Sequence, residues 1–496
     1  MAAGHPLTAR AGADVLGAGG NAVDAAIAAM LVSFVCEPLL TGLGAGGYML
    51  VVTPGQAPVL LDFFVEAPGR GPRSAPMAEL VPVTVSFGDA VQVFNIGAAS
   101  VGTYGTPAGL CEAADRFGRI ALADLVPGAA ALARDGVELS RQQAYVLEIL
   151  AGVATATPES SAIFAPDGEI LGAGDTIRQP ELADALERLG AEGAAPFYTG
   201  DIARSVATWI ADRRGILTTE DLAAYAVRDR EPVRVPYRGR QVVTNPPPSA
   251  GGILIAYALA LLDADPQAPG LERLVEVMER AQSERTPEFL AGLDEPGFAA
   301  RFLASRGVAP GPLGSTTHIA VLDREGCACS VTCSNGSCSG EVVPGTGIHL
   351  NNMLGEQDLN PLGFHRHPPG RRLPSMMAPT VVLREGSPEL VLGSAGSNRI
   401  RSAILQTIIR VVDDGLRAGP AVQAPRVHFE DGVVYVEPGI DTGALEAAGR
   451  TVARFRERNL FFGGVQAVER DPGGRFSGGG DERRGGAAIV VEAGRA

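Results

Sequence analysis

The sequence predicts an α/β (α+β) protein, with helices dominating its earlier part and strands its later part. Residues 7–16 carry apolar side chains at helical spacing, and an Ala-rich helix is predicted over Ala22–Cys36. Residues 106–225 have the pattern of helices separated by Gly and Pro. From Thr316 onward the apolar residues alternate as in strands, apart from one helix predicted over residues 398–414.

Local signals indicate where the first elements begin and end. Gly19 and Gly20 end the first helix, Asn21 provides an N-cap for the second, and Pro38 ends that second helix. Short strands are predicted over residues 48–53, 59–62, 233–235 and 241–244.

Length and composition exclude several classes of protein. The 496 residues suffice for three domains or for one large α/β unit with insertions, and 46% apolar residues exclude a disordered chain. All 41 basic residues are Arg, so the chain lacks the Lys that Walker-A NTPases, pyridoxal-phosphate enzymes, kinases and Ser-x-x-Lys acylases require. A net charge of −15 argues against a general nucleic-acid binder.

A glycine motif and a group of cysteines each have two interpretations. Gly42-x-Gly44-x-x-Gly47 matches the dinucleotide fingerprint, but a helix precedes it and a strand follows, which favours a tight turn. Four cysteines lie close together in sequence but lack the usual zinc spacing, so we interpret them as core residues rather than metal ligands. They are Cys327, Cys329, Cys333 and Cys338.

Two further motifs are weaker still. Gly336-Ser-Cys338-Ser-Gly340 resembles a nucleophile elbow, but the helix that should follow an elbow is not predicted. His365 and His367 lie in a Pro-flanked loop, where we expect solvated side chains, with metal binding as the lesser alternative.

Thr316 is the first candidate for catalysis. A strand is predicted over residues 316–323, and a hairpin partner over residues 327–334 follows the turn. A Pro- and Gly-rich run, residues 308–314, precedes Thr316. Cleavage before Thr316 would free an α-amine that could act as the general base for its own hydroxyl. Thr-rich strand starts are also common without any catalytic role.

A second candidate element lies about 80 residues further on. A strand over residues 388–393 is followed by the small-residue loop Ser394-Ala-Gly396-Ser397 and by a helix that starts at Asn398. Backbone N–H groups at such a helix start stabilise an oxyanion or a phosphate, and the absence of Lys favours the oxyanion. An ordinary helix cap is the alternative.

Taken in order, these and other segments resemble the γ-glutamyltransferase (γ-glutamyl transpeptidase, glutathione hydrolase) family of N-terminal nucleophile hydrolases. The matching segments are GGNAVDAA at 19–26, GAGGYML at 44–50, TEDLAAY at 219–225, PPPSAGG at 246–252, TTH at 316–318, LNN at 350–352, SMMAPT at 375–380 and GSAGSNRI at 393–400. The resemblance implies a four-layer αββα sandwich with two antiparallel central sheets. It also implies a precursor cut into a large segment, 1–315, and a small segment, 316–496.

The same resemblance assigns the reacting groups. Self-cleavage between Ser315 and Thr316 would make Thr316 the nucleophile and the new N-terminus, followed by Thr317 as the second Thr of the motif. Ser334 matches the hydroxyl that binds the freed amine, and Asn335, displaced by one residue, would be the nearby Asn.

The oxyanion hole and the substrate contacts follow in the same way. The N–H groups of Gly396 and Ser397 would bind the oxyanion, with Ser397 where the family usually has Gly. Asn352, Glu356 and Ser375 match residues that hold the amino-acid end of the substrate, with Glu356 where Asp is usual.

Phe64 is a departure that bears on the substrate. It occupies the place of an Arg that, in the family, binds the α-carboxylate of the γ-glutamyl group. Glu66 nearby would repel a carboxylate. We consider Arg70, Arg73 and Arg366 as replacements for the missing Arg.

The resemblance therefore implies a self-processing threonine amidohydrolase or acyltransferase for γ-glutamyl-type amides, with water or an amino acid as the acceptor. Alternatives are an amidase for a non-glutamyl acyl group, favoured by Phe64, and an uncleaved binding protein. No metal or organic cofactor is implied; the partners would be a small amide substrate and the two segments of one precursor, without nucleic acid or membrane. The N-terminus shows no signal-peptide pattern, so we expect a cytoplasmic location unless the natural start lies upstream.

Overall fold

Helices and strands are interspersed along the chain in the computed structural model, which describes residues 1–72, 75–87, 91–293, 295, 297–305, 316–360 and 363–492. The strands are β1 (Ala2–Ala3), β2 (Gly46–Val52), β3 (Val59–Phe63), β4 (Val81–Ser86), β5 (Val91–Ile96), β6 (Val137–Glu138), β7 (Thr176–Ile177), β8 (Arg228–Arg230), β9 (Val233–Tyr237), β10 (Arg240–Thr244), β11 (Thr317–Leu322), β12 (Ala328–Ser334), β13 (Val342–Val343), β14 (Ile348–His349), β15 (Thr380–Arg384), β16 (Ser387–Ala395), β17 (Val427–Glu430), β18 (Val433–Val436), β19 (Thr451–Arg454), β20 (Gly464–Arg470), β21 (Phe476–Gly480) and β22 (Ala487–Ala488).

The helices are α1 (Pro6–Gly17), α2 (Ala22–Cys36), α3 (Thr106–Phe117), α4 (Leu122–Leu125), α5 (Pro127–Asp135), α6 (Arg141–Ile149), α7 (Ala151–Ala154), α8 (Pro158–Phe164), α9 (Pro180–Glu192), α10 (Ala195–Tyr198), α11 (Asp201–Asp212), α12 (Thr219–Ala223), α13 (Ala250–Asp263), α14 (Leu271–Gln282), α15 (Pro287–Gly292), α16 (Phe298–Ser305), α17 (Arg399–Val412), α18 (Ala418–Gln423) and α19 (Gly443–Ala447). Short 3₁₀ turns lie at Ala98–Ser100, Gln357–Leu359, Leu460–Phe462 and Glu482–Arg484.

Two antiparallel sheets form the centre of the molecule, which confirms the predicted mixed α/β class. The seven-stranded sheet has the order β22-β1-β11-β12-β2-β3-β8, and the six-stranded sheet has the order β21-β20-β16-β15-β10-β9. Four strands of the first sheet precede residue 316 in the chain, and the other three follow it. Strand β11, which begins directly after Thr316, and its partner β12 are flanked by β1 and β2.

Side chains of β2 alternate between two hydrophobic cores. Met49 and Val51 belong to the core that also contains α2, whereas Tyr48 and Leu50 belong to the core that contains residues of β16, α13 and α17. Alternation is expected because successive side chains of a strand point to opposite faces. The seven-stranded sheet therefore has helix α2 packed on β11 and β12 at one face and strands β16 and β20 at the other.

The first two helices match the predicted bounds. Asn21 accepts hydrogen bonds from the N–H groups of Val23 and Asp24, and Asp24 accepts one from the Asn21 N–H, which forms a capping box. Helix α2 is buried on every side. No described helix is both long and apolar enough to cross a membrane.

The predicted strands β2, β3, β9, β10, β11, β12 and β16 and the helix α17 are confirmed within a few residues. The sequence analysis did not identify the hairpin β4–β5, the short strand β1, or helices α13–α16. Helix α13 packs against β9, α14 and α17 and is apolar all round, so it lacks the one-sided pattern by which helices are recognised. The predicted linker at 308–314 lies outside the described residues.

Hydrogen bonds join the two sheets near their centre. The Ser330 hydroxyl of β12 donates to the Leu392 carbonyl at 3.0 Å and accepts from the Thr380 N–H at 3.1 Å. His318 of β11 packs over Gly393, where a Cβ atom would lie 2.3 Å from the imidazole ring. Burial lowers the pKa of His318 to about 3, so the ring is neutral and serves in packing.

Glu37, the residue after α2, connects this helix to strand β11. Its Oε2 accepts a hydrogen bond from the Thr317 hydroxyl at 2.7 Å, and its Oε1 has no hydrogen-bond partner among the described residues. Burial raises the pKa of Glu37 to about 7, against the opposing effects of the Thr317 hydrogen bond and the Arg484 charge. The carboxyl next to Thr316 therefore holds its proton up to about neutral pH.

We expect Glu37→Gln to remove a pH dependence of folding stability. The unfolded carboxyl loses its proton near pH 4.5, whereas the folded one retains it until about pH 7, so the free energy of unfolding falls as pH rises between these values. The Gln variant should therefore gain up to about 3 kcal/mol relative to its parent between pH 5 and pH 8. Urea unfolding at both pH values measures the difference, in a Thr316→Ala background that keeps both proteins as one chain. An equal difference at pH 5 and pH 8 would contradict the prediction.

Candidate active site

One small cavity brings most of the predicted site residues together. Its empty volume is about 330 Å³. The lining residues are Phe64, Thr316, Ser334, Gly336, Met353, Glu356, Leu359, Ser375, Met376, Met377, Ser397 and Ile400. Six of these are sequence-predicted site residues, and they come from segments on both sides of residue 316. The other six were not identified, although Gly336, Met353 and Met376 directly follow predicted positions in the sequence.

The β11–β12 ladder positions the nucleophile candidate. Thr317 pairs with Cys333, so Thr316 lies opposite Ser334 at the end of the ladder. Thr316 is buried, and both residues line the cavity. The Ser334 hydroxyl accepts a hydrogen bond from the Gly336 N–H at 2.9 Å, which fixes the turn that follows β12. Ser315 lies outside the described residues.

Two predicted asparagines have structural contacts and do not line the cavity. The Asn335 amide donates to the His349 carbonyl at 3.2 Å and to the Cys338 sulfur at 3.5 Å. The Asn352 amide donates to the Ser337 hydroxyl at 2.8 Å, and its oxygen accepts from the Ser337 N–H at 2.9 Å. Gly336, rather than Asn335, faces the cavity after Ser334.

Glu356 and Ser375 line the cavity as the resemblance implied. Glu356 Oε1 accepts hydrogen bonds from the N–H and the hydroxyl of Ser337 at 3.2 and 3.3 Å. The Ser375 hydroxyl accepts from the Met377 N–H at 2.9 Å, and its carbonyl accepts from the Ser249 hydroxyl at 3.0 Å. The PPPSAGG segment thus supports the loop that carries Ser375.

The predicted oxyanion loop joins β16 to α17 through two residues with left-handed backbone. Gly396 has φ +107° and Ser397 has φ +59°, a conformation that glycine adopts freely and serine adopts rarely. A Cβ atom on Gly396 would lie 2.9 Å from the Cα atom of Gly463, so this position also requires glycine for space. Ser397 lines the cavity, and helix α17 begins two residues later.

Phe64 gives one wall of the cavity an apolar surface. Its ring stacks on Tyr48 with 5.3 Å between centroids, and the side chain is almost completely buried. The cavity therefore presents an aromatic ring at the position where the resemblance led us to expect a carboxylate-binding Arg.

Two of the arginines considered as replacements, Arg70 and Arg366, do not line the described cavity. Arg70 forms ion pairs with Glu66 at 3.1 Å and with Asp221 at 3.7 Å, and Arg366 is exposed. Arg73 lies outside the described residues. Buried Arg372 lies close behind Phe64, but its guanidinium donates to the Phe64 carbonyl at 2.6 Å and contacts Asp62.

Glu66 has a different role from the predicted one. It does not line the cavity, and its carboxylate is neutralised by ion pairs with Arg70 and Arg228. Repulsion of a substrate carboxylate in the cavity would instead come from Glu356, the only acidic side chain in the described lining.

The described lining contains neither His, Arg nor Cys. Glu356 is the one ionisable side chain in the described lining, and an amine on Thr316 itself would add a second base there. Apolar surface from Phe64, Met353 and Ile400 surrounds these groups, and such surroundings strengthen electrostatic interactions.

The other sequence motifs lie away from this cavity. At Gly44 and Gly47 an added Cβ would lie 2.5 Å and 2.4 Å from backbone oxygens of neighbouring segments, which confirms a tight turn. All six cysteines are free thiols; the four near β12 are buried, and burial raises the pKa of Cys338. No group of three His, Cys, Asp or Glu side chains in the described ranges could hold a metal ion.

The expectation that His365 and His367 are solvated was wrong. Both side chains are partly buried, and each forms a hydrogen bond from its Nε2 atom to a backbone carbonyl, of Ala99 at 2.8 Å and of Leu359 at 2.9 Å. They fasten the loop that follows Leu359.

Comparisons with known proteins show which family this chain matches. The family model described as Gamma-glutamyltranspeptidase matches residues 8–491. The glutathione hydrolase proenzyme of Escherichia coli K12 is 32% identical, over 95% of this chain and 88% of its own length. The acylase ACY 1 proenzyme of Pseudomonas sp. SE83 is 31% identical, over 99% of this chain and 93% of its own length.

A solved structure extends the similarity to the fold. Cephalosporin acylase from Bacillus halodurans superimposes with a TM-score of 0.82 at 27% identity, covering 99% of this chain and 95% of that one. The match spans nearly the whole chain and both central sheets. This chain therefore belongs to the gamma-glutamyltranspeptidase family of N-terminal nucleophile hydrolases and is an enzyme of that family.

Proposed function

We propose that this chain is a self-processing threonine amidohydrolase, and that the acyl group of its substrate carries no α-carboxylate. The observation that carries the proposal is the cavity itself, whose partly apolar lining includes Thr316, Ser334, Glu356, Ser375 and Ser397 of the oxyanion loop. The hydrolase and acylase relatives support amide cleavage.

Maturation would use the hydroxyl of Thr316 on its own peptide bond. The Oγ atom attacks the carbonyl carbon of Ser315, the C–N bond breaks, and the hydroxyl proton moves to the nitrogen. Water then hydrolyses the resulting ester, which leaves a carboxylate on Ser315 and a free amine on Thr316. The segments 1–315 and 316–496 would stay together because β11 and β12 lie between β1 and β2.

We also propose the four-layer αββα arrangement for this chain. Helix α2 packs on the outer face of the seven-stranded sheet, and helices α13 and α17 pack on strands of the six-stranded sheet. Strands β11 and β12 pack on strands β16 and β20 across the sheet interface. These contacts support helix layers on both outer faces.

In turnover, the α-amine of Thr316 would take the hydroxyl proton as Oγ attacks the amide carbonyl of the substrate. Ser334, opposite Thr316 in the ladder, would hold this amine by a hydrogen bond. The N–H groups of Gly396 and Ser397 would receive the oxyanion. Collapse transfers the proton to the leaving amine and leaves an acyl-Thr316 ester, which water hydrolyses or an amino-acid amine intercepts.

Phe64 and the apolar lining decide the substrate class that we propose. A substrate carboxylate beside Phe64 would lose its hydration without gaining an Arg partner, and Glu356 would repel it. An uncharged acyl chain would instead pack against Phe64, Met353 and Ile400. Asn352 would act indirectly, by holding Ser337 beside Glu356.

γ-Glutamyl amides are the second candidate substrates. The glutathione hydrolase proenzyme of Escherichia coli, at 32% identity, favours them. For this candidate, an Arg outside the described lining would have to reach the α-carboxylate.

Maturation can be tested on the purified protein. Purified protein should separate under denaturing conditions into two fragments, the smaller one beginning at Thr316, and Thr316→Ala should remain one chain because it lacks the attacking hydroxyl. Intact-mass measurement and N-terminal sequencing test this. Thr316→Ser is the matched control and should still be cut, since it retains a hydroxyl. One uncut chain in all three proteins, without amide hydrolysis, would support a binding protein instead.

The acyl pocket can be tested with two p-nitroanilide substrates. Wild-type enzyme should hydrolyse butyryl p-nitroanilide with a higher kcat/KM than γ-glutamyl p-nitroanilide. Phe64→Arg should raise kcat/KM for the γ-glutamyl compound by about tenfold, because a guanidinium binds a carboxylate through two hydrogen bonds. Phe64→Leu, which keeps an apolar side chain, should show no such gain. Preferential γ-glutamyl turnover by the wild type would reject the proposed substrate class in favour of the second candidate.

A further inference from the structure

Asn398 lies where a residue normally caps a helix, but its side chain does not cap helix α17. Its backbone is helical, with φ −58° and ψ −28°, and no side-chain cap bond forms. Asn is favoured at this position because its oxygen accepts a hydrogen bond from an N–H group of the first turn. Here the side chain instead turns away from the helix end.

Asn398 is held by residues from two other parts of the fold. Its Nδ2 donates to Glu430 Oε1 at 2.6 Å, and its Oδ1 accepts from the Arg285 guanidinium at 3.2 Å. All three side chains are buried. Arg285 follows α14 in the large segment, whereas Glu430 ends strand β17 in the small segment.

Glu430 is in turn held by His428 on the same strand. Its Oε2 lies 3.2 Å from His428 Nε2, and His428 Nδ1 lies 2.8 Å from the Ser402 hydroxyl of α17. Burial alone would raise the pKa of Glu430, but hydrogen bonds from His428 and Asn398 and the charge of Arg399 hold it below its usual value. Burial lowers the pKa of His428, so a neutral ring donates from Nε2 and accepts at Nδ1.

This set of hydrogen bonds adjoins a strained residue. Ser397, immediately before Asn398, has φ +59°, which its Cβ disfavours, and it lines the cavity. If Asn398 took up the usual capping geometry, its backbone would become extended and the Gly396–Ser397 turn would change with it. Keeping Asn398 away from the helix end therefore keeps Ser397 in its left-handed conformation.

We propose that Glu430 is a positioning residue for the oxyanion loop, acting through Asn398. It binds the Asn398 amide and so maintains the backbone of Gly396 and Ser397 in the geometry that receives the oxyanion. This inference rests on the proposed function, because it assigns the loop its catalytic role. It gives the buried Glu430 and His428 a purpose other than packing, and it explains how Ser is tolerated at position 397.

The test compares kcat and KM of processed enzyme variants on the preferred p-nitroanilide. Glu430→Ala should lower kcat by about 10- to 100-fold with KM changed less than about twofold, because the oxyanion forms only in the transition state. Glu430→Gln should stay within about threefold of wild type, since its oxygen still accepts from Asn398 and its amide can donate to the other His428 tautomer. If the negative charge of Glu430 alone mattered, Glu430→Gln would lose as much kcat as Glu430→Ala.

Ser397→Gly provides a second, specific readout. Added to Glu430→Ala, it should recover about tenfold in kcat, because glycine adopts the left-handed backbone without support. By itself, Ser397→Gly should raise the unfolding midpoint, and it should do so less in the Glu430→Ala background, where the loop has already relaxed. This stability comparison does not depend on activity.

Glu469→Ala is the matched control. Glu469, on β20 and outside the cavity lining, is a carboxylate about as buried as Glu430. It accepts hydrogen bonds from Arg417, Ser477 and the Ala418 N–H. It should lose stability without losing kcat. If Glu430→Ala does not fold, Asn398→Ala breaks the same link from its other end and should show the same loss and the same rescue.

An unchanged kcat in Glu430→Ala, or a loss that Ser397→Gly fails to recover, would overturn the inference while leaving the proposed function intact. Failure of the proposed function is distinguishable, because wild-type protein would then be neither cut at Thr316 nor active on any amide. In that case the unfolding midpoints still test the inference. An equal rise caused by Ser397→Gly in the wild-type and Glu430→Ala backgrounds would overturn it.

Discussion

The fold depends on one constraint, the antiparallel ladder in which β11 and β12 lie between β1 and β2. Its register pairs Thr317 with Cys333, so Thr316 and Ser334 meet at one end of the ladder and both face the cavity. The flanking strands belong to the other segment of the chain, and backbone hydrogen bonds therefore hold the two segments together on both sides of the hairpin. A strand whose ladder is complete on both edges is a rigid support for a reacting group.

Arginines next to Phe64 pair with buried carboxylates, and no Arg side chain lines the described part of the cavity. Buried Asp62 and Glu66 lie directly behind Phe64 and pair with Arg372, Arg230 and Arg228. The carboxylates need these partners because an unpaired buried charge is strongly destabilising. These guanidinium groups are thus already bound to structural carboxylates, and Phe64 contributes an apolar ring to the cavity wall.

The sequence analysis identified more of the reacting groups than of their surroundings. Thr316, Ser334, Glu356, Ser375, Ser397 and Phe64 belong to short motifs, and all six line the cavity. Met353, Leu359 and Ile400 were missed because an apolar residue in a cavity wall looks the same in sequence as one in the core. Asn335 and Asn352 lie within the same motifs, yet their amides are hydrogen-bonded to neighbouring backbone and to Ser337.

Local sequence sufficed for the elements whose signals are local. Adjacent residues indicate the Asn21 cap, the β11–β12 hairpin and the start of α17, because caps, turns and alternation act over a few positions. The composition alone excludes chemistry that needs Lys. Only the tertiary structure decided which arginines are already paired, which way Asn398 turns, and that Glu37 and Glu430 lie beside the site. These contacts join residues far apart in the chain, with Glu37 and Thr317 separated by 280 positions, and such distances carry no signal in a single sequence.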